Sequence, residues 1–191
     1  MNLLDSLYSM HSKEILRKKS KASIKDPLPI EHLIHSQLYH EAEYILAYMP
    51  LSYEVDISPL LEQVITDQKK LYLPKVVTQT TMIFLAVNDL KKDLQLGSYG
   101  IKEPIADLIP WRPSHKQSLI LAPALATTTS GYRLGHGGGF YDRFLSSIKN
   151  NLPVTIAVTD HSFSSCSFPI ESHDIPFSYI LTQKNLIHAT F

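Results

Sequence analysis

A chain of 191 residues with 44% hydrophobic and 19% charged side chains is an ordinary globular domain with a substantial core, neither disordered nor fibrous. Eighteen basic and eighteen acidic side chains cancel, so nothing global draws it towards nucleic acid or an anionic membrane. The single cysteine, Cys166, excludes an intramolecular disulfide and a multi-cysteine metal site, and reads as a small buried hydrophobe.

At the N-terminus positive charge follows the apolar residues and Asp5 interrupts them, which is not the order of a secretory signal. No apolar run approaches the roughly 18–20 residues that span a bilayer, so the expected location is the cytoplasm. A helix is predicted from Ser12, its N-cap, with Lys13, Arg17 and Lys21 on one face at i, i+4 and i+8. Six basic residues lie between Lys13 and Lys25, with Glu14 the only acid among them. A solvated helix face accounts for the run; so does an anion clamp for a polyphosphate tail bound elsewhere in the fold.

Beyond Pro27 and Pro29, Ile30, Leu33, Ile34, Leu38 and Ala42 have helical spacing. Residues 45–49 read as a first strand stopped by Pro50, followed by a loop with Glu54 and Asp56. Ser58-Pro59 suits a helix start, cap then proline, with Leu60, Leu61, Val64 and Ile65 as its apolar face. A short strand at 71–73 is ended by Pro74, and 81–87 is strand-like throughout. Residues 96–104 are irregular and turn-rich. The run 118–122 is continuously apolar, as in a strand covered on both faces. A helix over 140–148, with Phe144, Leu145 and Ile148 inward, precedes a buried strand at 154–158 and a last one at 177–181. Strands alternate with helices, which predicts a single α/β domain over 1–191: an open, mostly parallel sheet with helices on both faces, a Rossmann-like three-layer arrangement. Ligands in such folds sit at the carboxyl ends of strands, here the loops after Met49, Ala122 and Val158.

Five of the seven glycines (131, 135, 137, 138 and 139) fall within 131–143. The segment closes with no Gly-Lys-Ser/Thr, and it is not a dinucleotide fingerprint after a first strand. A structural turn needs two glycines; three in succession, Gly137-Gly138-Gly139, point to a ligand against the backbone. A helix start follows, so the segment reads as a phosphate-gripping loop. Asp142 is either a favourable first-turn acid or, beside phosphate, a magnesium ligand; Arg133 would reach the same phosphates with its planar fork. Asp56 suits a turn or helix-start role, and Glu54 is open. Ser172-His173-Asp174 is a plain turn or supplies a second carboxylate to a metal site with Asp142. Nine histidines lack metal-ligand spacing, so no zinc site is expected, and the absence of a nucleophile-elbow serine argues against a hydrolase.

Along the chain come Lys13-Glu14-Ile15-Leu16-Arg17, Tyr48-Met49-Pro50 with Glu54-Val55-Asp56, Leu73-Pro74 and Gly100-Ile101-Lys102-Glu103-Pro104. With the glycine segment through Leu145 and with His173-Asp174, they make the chain resemble the 5-formyltetrahydrofolate cyclo-ligase, or methenyltetrahydrofolate synthetase, family over nearly its whole length. The resemblance implies an enzyme that uses ATP and Mg²⁺ to turn 5-formyltetrahydrofolate into 5,10-methenyltetrahydrofolate, with ADP and phosphate released. In the family the formyl oxygen attacks the γ-phosphate, and a folate nitrogen then closes the ring as phosphate leaves.

By the same resemblance, Lys13, Glu14, Ile15, Leu16 and Arg17 would grip ATP together with Arg133, Leu134, Gly135, His136, Gly137, Gly138, Gly139, Phe140 and Tyr141. Lys13, Arg17 and Arg133 would supply the charge for catalysis. Glu54, with Met49 beside it, would hold the folate, and Tyr141 would line the junction of the two ligands. Asp142 and Asp174 would hold Mg²⁺. The implied partners are small molecules, reduced folate and ATP, with no nucleic acid or membrane, on a monomer. Thr127, Thr128 and Ser178 depart from the family's usual residues at their positions. A binding or regulatory protein on the same fold, taking a phosphorylated ligand without turnover, is the competing expectation.

Overall fold

In the computed structural model, which describes residues 3–23, 26–97, 100–113 and 117–190, the chain opens with α1 (Leu3–Ala22), α2 (Glu31–Ile34) and α3 (Gln37–Glu41). Then come β1 (Tyr44–Leu46), α4 (Ser58–Thr66), β2 (Lys70–Val76), β3 (Met82–Val87) and the pair β4 (Leu94–Leu96) and β5 (Lys102–Pro104). The second half holds β6 (Ser118–Pro123), β7 (Ala126–Thr127), β8 (Arg133–Leu134), α5 (Phe140–Ser147), β9 (Val154–Val158), β10 (Tyr179–Leu181) and β11 (Leu186–His188).

Seven strands form one sheet in the order β11-β10-β9-β6-β1-β2-β3. The inner pairings β10 with β9, β9 with β6, β6 with β1 and β1 with β2 are parallel; β3 and β11 close the two edges antiparallel. Side chains alternate between two cores. Leu119 and Leu121 of β6 pack with Leu33, Tyr39, Leu60, Leu61 and Val64 from α2, α3 and α4. Ile120 and Ala122 pack on the other face with Tyr141 and Leu145 of α5, together with Phe84, Trp111 and Phe177. The unbroken apolar run of β6 therefore has the expected cause, a cover on each face. The fold is the α/β sheet that the pattern implied. Among the described residues no helix is long and apolar enough to cross a membrane.

Local expectations failed where tertiary context outweighed a local signal. Ser12 is not an N-cap: the backbone is helical from Leu3, and no glycine or proline interrupts the sequence before Ala22. The stretch 30–42 is two short helices, parted at Ser36, whose hydroxyl accepts from Tyr39 N at 3.3 Å. Ser58 is the first residue of α4 and not its cap: Ile57 holds that position without a side-chain bond, and Asp56 accepts from Ser58 N at 2.8 Å, in keeping with its turn or helix-start reading. Pro74 does not end β2, which runs on to Val76. Tyr72 O accepts from Ala47 N on the β1 side, so by the strand's two-residue alternation the missing N–H of Pro74 faces that side too, beyond the last residue of β1. Cys166 is half-buried against Ala126, Leu134 and Phe168, and burial pushes its thiol pKa up, away from thiolate chemistry.

Candidate active site

A cleft of about 620 Å³ opens beyond the carboxyl ends of β1 and β6, beside β2. Of the three loops expected to carry a site, those after Met49 and Ala122 lead into it. The connection after Val158 reaches it as well, through Glu171, His173 and Asp174, while its first residues, Asp160 and His161, bond instead to Ser162 and Gln183.

One wall is the glycine segment. β7 and β8 pair antiparallel, Ala126 with Leu134 and Thr127 with Arg133, which turns the chain back across the sheet end. Gly131 sits in that turn at φ +79°, and a Cβ there would run into the carbonyl of Phe177. Its own carbonyl accepts from Phe177 N at 2.9 Å, so the turn is docked on the chain entering β10. Gly139, left-handed at φ 64°, turns the loop into α5. Arg143 N donates to Gly139 O, and the amides of the first turn before it, Phe140 to Asp142, have no acceptor inside the helix. They sit on the cleft wall, where the helix dipole favours an anion.

The second wall is α1. Lys13 is buried, with Nζ 2.7 Å from Glu171 Oε1 and 3.7 Å from Asp174 Oδ2. Arg17 Nε donates to Gly135 O at 3.0 Å. Leu16 packs against Ala126, Leu134 and Phe168, which seats the helix on the hairpin. Glu14 pairs with Lys18 in solvent at 3.1 Å and Ile15 is exposed, so neither of these lines the cleft, nor does Leu16. The helical period thus divides the Lys13–Arg17 stretch, two cations inward and the rest to packing or water.

Between these walls lies Arg133, whose Nη2 is 2.9 Å from Asp142 Oδ2. Its guanidinium stacks 5.0 Å from the Tyr141 ring and 5.4 Å from the Phe177 ring. Arg133 Nε and the Tyr141 hydroxyl are both buried without a hydrogen-bond partner among the described residues. Buried polar groups are seldom left so, and both belong to residues on a cleft large enough for a ligand. Burial raises the Tyr141 phenol well above its usual range, against the opposing pull of Arg133, so it stays a neutral donor.

The third wall is the loop after β1, with Tyr48, Met49, Leu51, Tyr53 and Glu54, continued by Pro74, Val76 and Met82. Tyr48 OH donates to Val55 O at 2.9 Å, and burial first, then Glu54, raises its pKa. Glu54 is buried; its Oε2 accepts from Leu51 N at 2.8 Å and its Oε1 lies 2.7 Å from His136 Nε2. Lys102 and Glu103 of β5 close the rim, tied to β2 by a bond from Lys75 Nζ to Pro104 O at 2.7 Å.

The structure therefore brings Lys13, Arg17, Met49, Glu54, Asp142, Asp174 and residues 133–141 to one cleft. Sequence reasoning missed Tyr53, Glu171, Lys102 and Met82 there. Two of them had a signal: Glu171, an acid three residues before Asp174 in a segment already suspected, and Lys102, within the stretch 100–104 that helped to carry the resemblance. Thr127, Thr128 and Ser178, the departures from the family pattern, lie off the cleft. Thr127 Oγ1 donates to Ser164 O at 3.1 Å, Thr128 Oγ1 accepts from Tyr132 N at 3.1 Å, and Ser178 N donates to Thr155 Oγ1 at 2.8 Å.

For a divalent cation the donor set is specific. Asp142 is paired with Arg133, and Asp174 Oδ2 accepts from Glu171 N at 2.8 Å near Lys13. Among the described residues no group of three His, Cys, Asp or Glu side chains is arranged around a metal position. This is no cage for a resident ion. Two carboxylates on one cleft fit a Mg²⁺ that arrives on phosphate oxygens and needs only one or two protein ligands.

The sequence profile of the 5-formyltetrahydrofolate cyclo-ligase family matches residues 2–183. The chain belongs to that family. A 5-formyltetrahydrofolate cyclo-ligase of Mycolicibacterium smegmatis is 31% identical over 148 residues, covering 76% of each chain. The cyclo-ligase of Escherichia coli K12 is 27% identical over 147 residues, 76% of this chain and 80% of that one. The solution structure of a 5,10-methenyltetrahydrofolate synthetase from Aquifex aeolicus superimposes with a TM-score of 0.74 at 26% identity, over 94% of this chain and 93% of the other. Membership in the cyclo-ligase family makes the protein an enzyme, a ligase, and the cleft its candidate active site.

Proposed function

We propose that this cleft converts 5-formyltetrahydrofolate to 5,10-methenyltetrahydrofolate at the expense of ATP, releasing ADP and phosphate. One observation carries the reading: a wall of cations and open helix-start amides faces an apolar, aromatic wall that holds the buried carboxylate of Glu54, across one cleft. The first suits a polyphosphate and the second a flat, hydrogen-bonding heterocycle.

The chemistry needs such a pairing. The formyl oxygen is a poor leaving group until phosphorylated. In the reading it attacks the γ-phosphorus as the bond to the ADP oxygen breaks. The neighbouring folate amine then adds to the formyl carbon and loses its proton, and the carbon–oxygen bond breaks with phosphate as the leaving group. No protein nucleophile is required; the protein aligns two ligands and stabilises negative charge. Lys13, Arg17 and the amides at the start of α5 hold the phosphates. Arg133 offers its donors at the transferring group, and the neutral Tyr141 hydroxyl donates at the junction. Glu54 accepts from the folate's N–H groups, beside Met49. Asp142 and Asp174 would hold Mg²⁺, which when bound spreads the charge of the transferring phosphoryl group. All these groups come from one chain, so the reading needs only a monomer.

The test is to mix purified protein with 5-formyltetrahydrofolate, ATP and Mg²⁺ and follow the near-ultraviolet absorbance of the methenyl product alongside released phosphate. The expected result is one phosphate per product, and none of either without ATP. A folded sample that forms no product above the enzyme-free control overturns the proposal.

A further inference from the structure

His136 is the one side chain in the run 135–139; its four companions are glycines. Whatever that loop transmits through a side chain passes through this imidazole. Its Nε2 lies 2.7 Å from Glu54 Oε1, joining residues 82 apart in sequence. A carboxylate offers only acceptors, so the imidazole Nε2–H is the donor. The ring also meets Tyr53 edge-on at 5.4 Å between centroids, and Lys21 Nζ lies 4.8 Å from the centre of the Tyr53 ring. On the other side, the adjacent carbonyl of Gly135 accepts from Arg17 at 3.0 Å. A continuous set of contacts thus runs from the cation that would meet phosphate, through the loop, to the carboxylate that would meet folate.

We infer that His136 is a positioning residue that clasps Glu54 to the glycine loop, so that nucleotide and folate each tighten the binding of the other. The inference rests on the functional reading above and deepens it. Leu51 N fixes one carboxylate oxygen and His136 the other, which orients the group before the ligand arrives. Each oxygen retains a second lone pair, so Glu54 accepts from a ligand N–H without releasing the clasp. When phosphates settle on the start of α5 and engage Arg17, the loop is held, and with it His136 and Glu54. Folate then meets a carboxylate whose ordering is complete. By linkage the reverse factor is the same.

The experiment is calorimetric titration of 5-formyltetrahydrofolate with and without a non-hydrolysable ATP analogue, on the wild type, His136→Ala and His136→Gln, each checked for native circular dichroism. In the wild type the analogue tightens folate by about fivefold or more. His136→Ala weakens folate by about tenfold, the order expected for a lost hydrogen bond to a charged group, and its affinity no longer responds to the analogue. His136→Gln, whose amide still donates, recovers most of both effects. If His136→Ala keeps the wild-type affinity and response, the clasp is refuted. It is refuted equally if Ala and Gln lose both alike, since the effect then belongs to the ring's packing on Tyr53. A folded wild type that binds neither ligand removes the functional reading itself, an outcome distinct from binding with uncoupled affinities.

Discussion

The wall proposed for the nucleotide carries three cations, each already engaged: Lys13 with Glu171, Arg133 with Asp142, Arg17 with the carbonyl of Gly135. The wall proposed for folate carries Tyr48, Met49, Tyr53, Pro74, Val76 and Met82, and the carboxylate of Glu54. On the first wall a ligand phosphate must exchange with protein partners, so what it gains is a difference between two sets of charge-assisted bonds. On the second the surface is formed before the ligand comes, and the gain is burial plus a few directed hydrogen bonds. The charged wall should therefore be sensitive to single-partner changes, which leave a cation or an acid stranded. The apolar wall should tolerate changes that preserve volume.

The most damaging change should be Arg133→Ala. It strands Asp142 and empties the space between Tyr141 and Phe177, where the guanidinium stacks. We expect a loss of about 3 kcal/mol in chemical denaturation, and a roughly hundredfold fall in turnover for the folded fraction. Activity and stability within a few per cent of wild type would mean that the pair holds neither the fold nor the phosphate. Gly131→Ala comes next. A Cβ there meets the Phe177 carbonyl, and the residue is held at φ +79°, so about 2 kcal/mol of stability should be lost. A neutral result in a thermal melt would show that the turn yields easily and does not anchor the wall. Met82→Leu, a near volume-conserving swap on the folate wall, should cost under about 1.5 kcal/mol, and a larger loss in the same melt would erase the contrast.

Glu171→Gln should have the smallest effect, and one that depends on pH. The bond from Lys13 holds the Glu171 carboxyl below its usual range. A carboxyl lowered in the folded state adds stability above its unfolded pKa, and the gain disappears as pH falls through the lowered value. The side chain is 43% exposed, so the gain is screened to under about 1 kcal/mol. Denaturation at neutral and acid pH should show wild type and variant converging at the acid end. A gap that persists there would mean that the bond to Lys13 is not its source.

Much of this was legible in the residues, for physical reasons that also mark the limit. β6 was visible because burial on both faces demands an unbroken apolar run, β9 because only Thr155 interrupts one, and α4 and α5 because one face of each is apolar. The glycine segment was visible because glycine is scarce elsewhere in the chain. β4, β5, β7, β8 and β11, of two or three residues each and outside any longer apolar run, are too short to show a period. They include the hairpin that turns Arg133 towards the cleft. Lys13 with Glu171, 158 residues apart, and His136 with Glu54 were beyond any spacing rule, since only the folded sheet brings such pairs together. More than half of the residues that line the cleft were named in advance; which charge answers which was not.

The most direct test of the two-wall division is two-substrate kinetics on Lys13→Ala and Glu54→Gln, the latter chosen because its amide oxygen still accepts from His136. Lys13→Ala should raise the KM for ATP by about tenfold or more and leave that for 5-formyltetrahydrofolate within about twofold. Glu54→Gln should do the reverse. If both substitutions raised the same KM, or if each raised the other's, the assignment of the two walls would be contradicted.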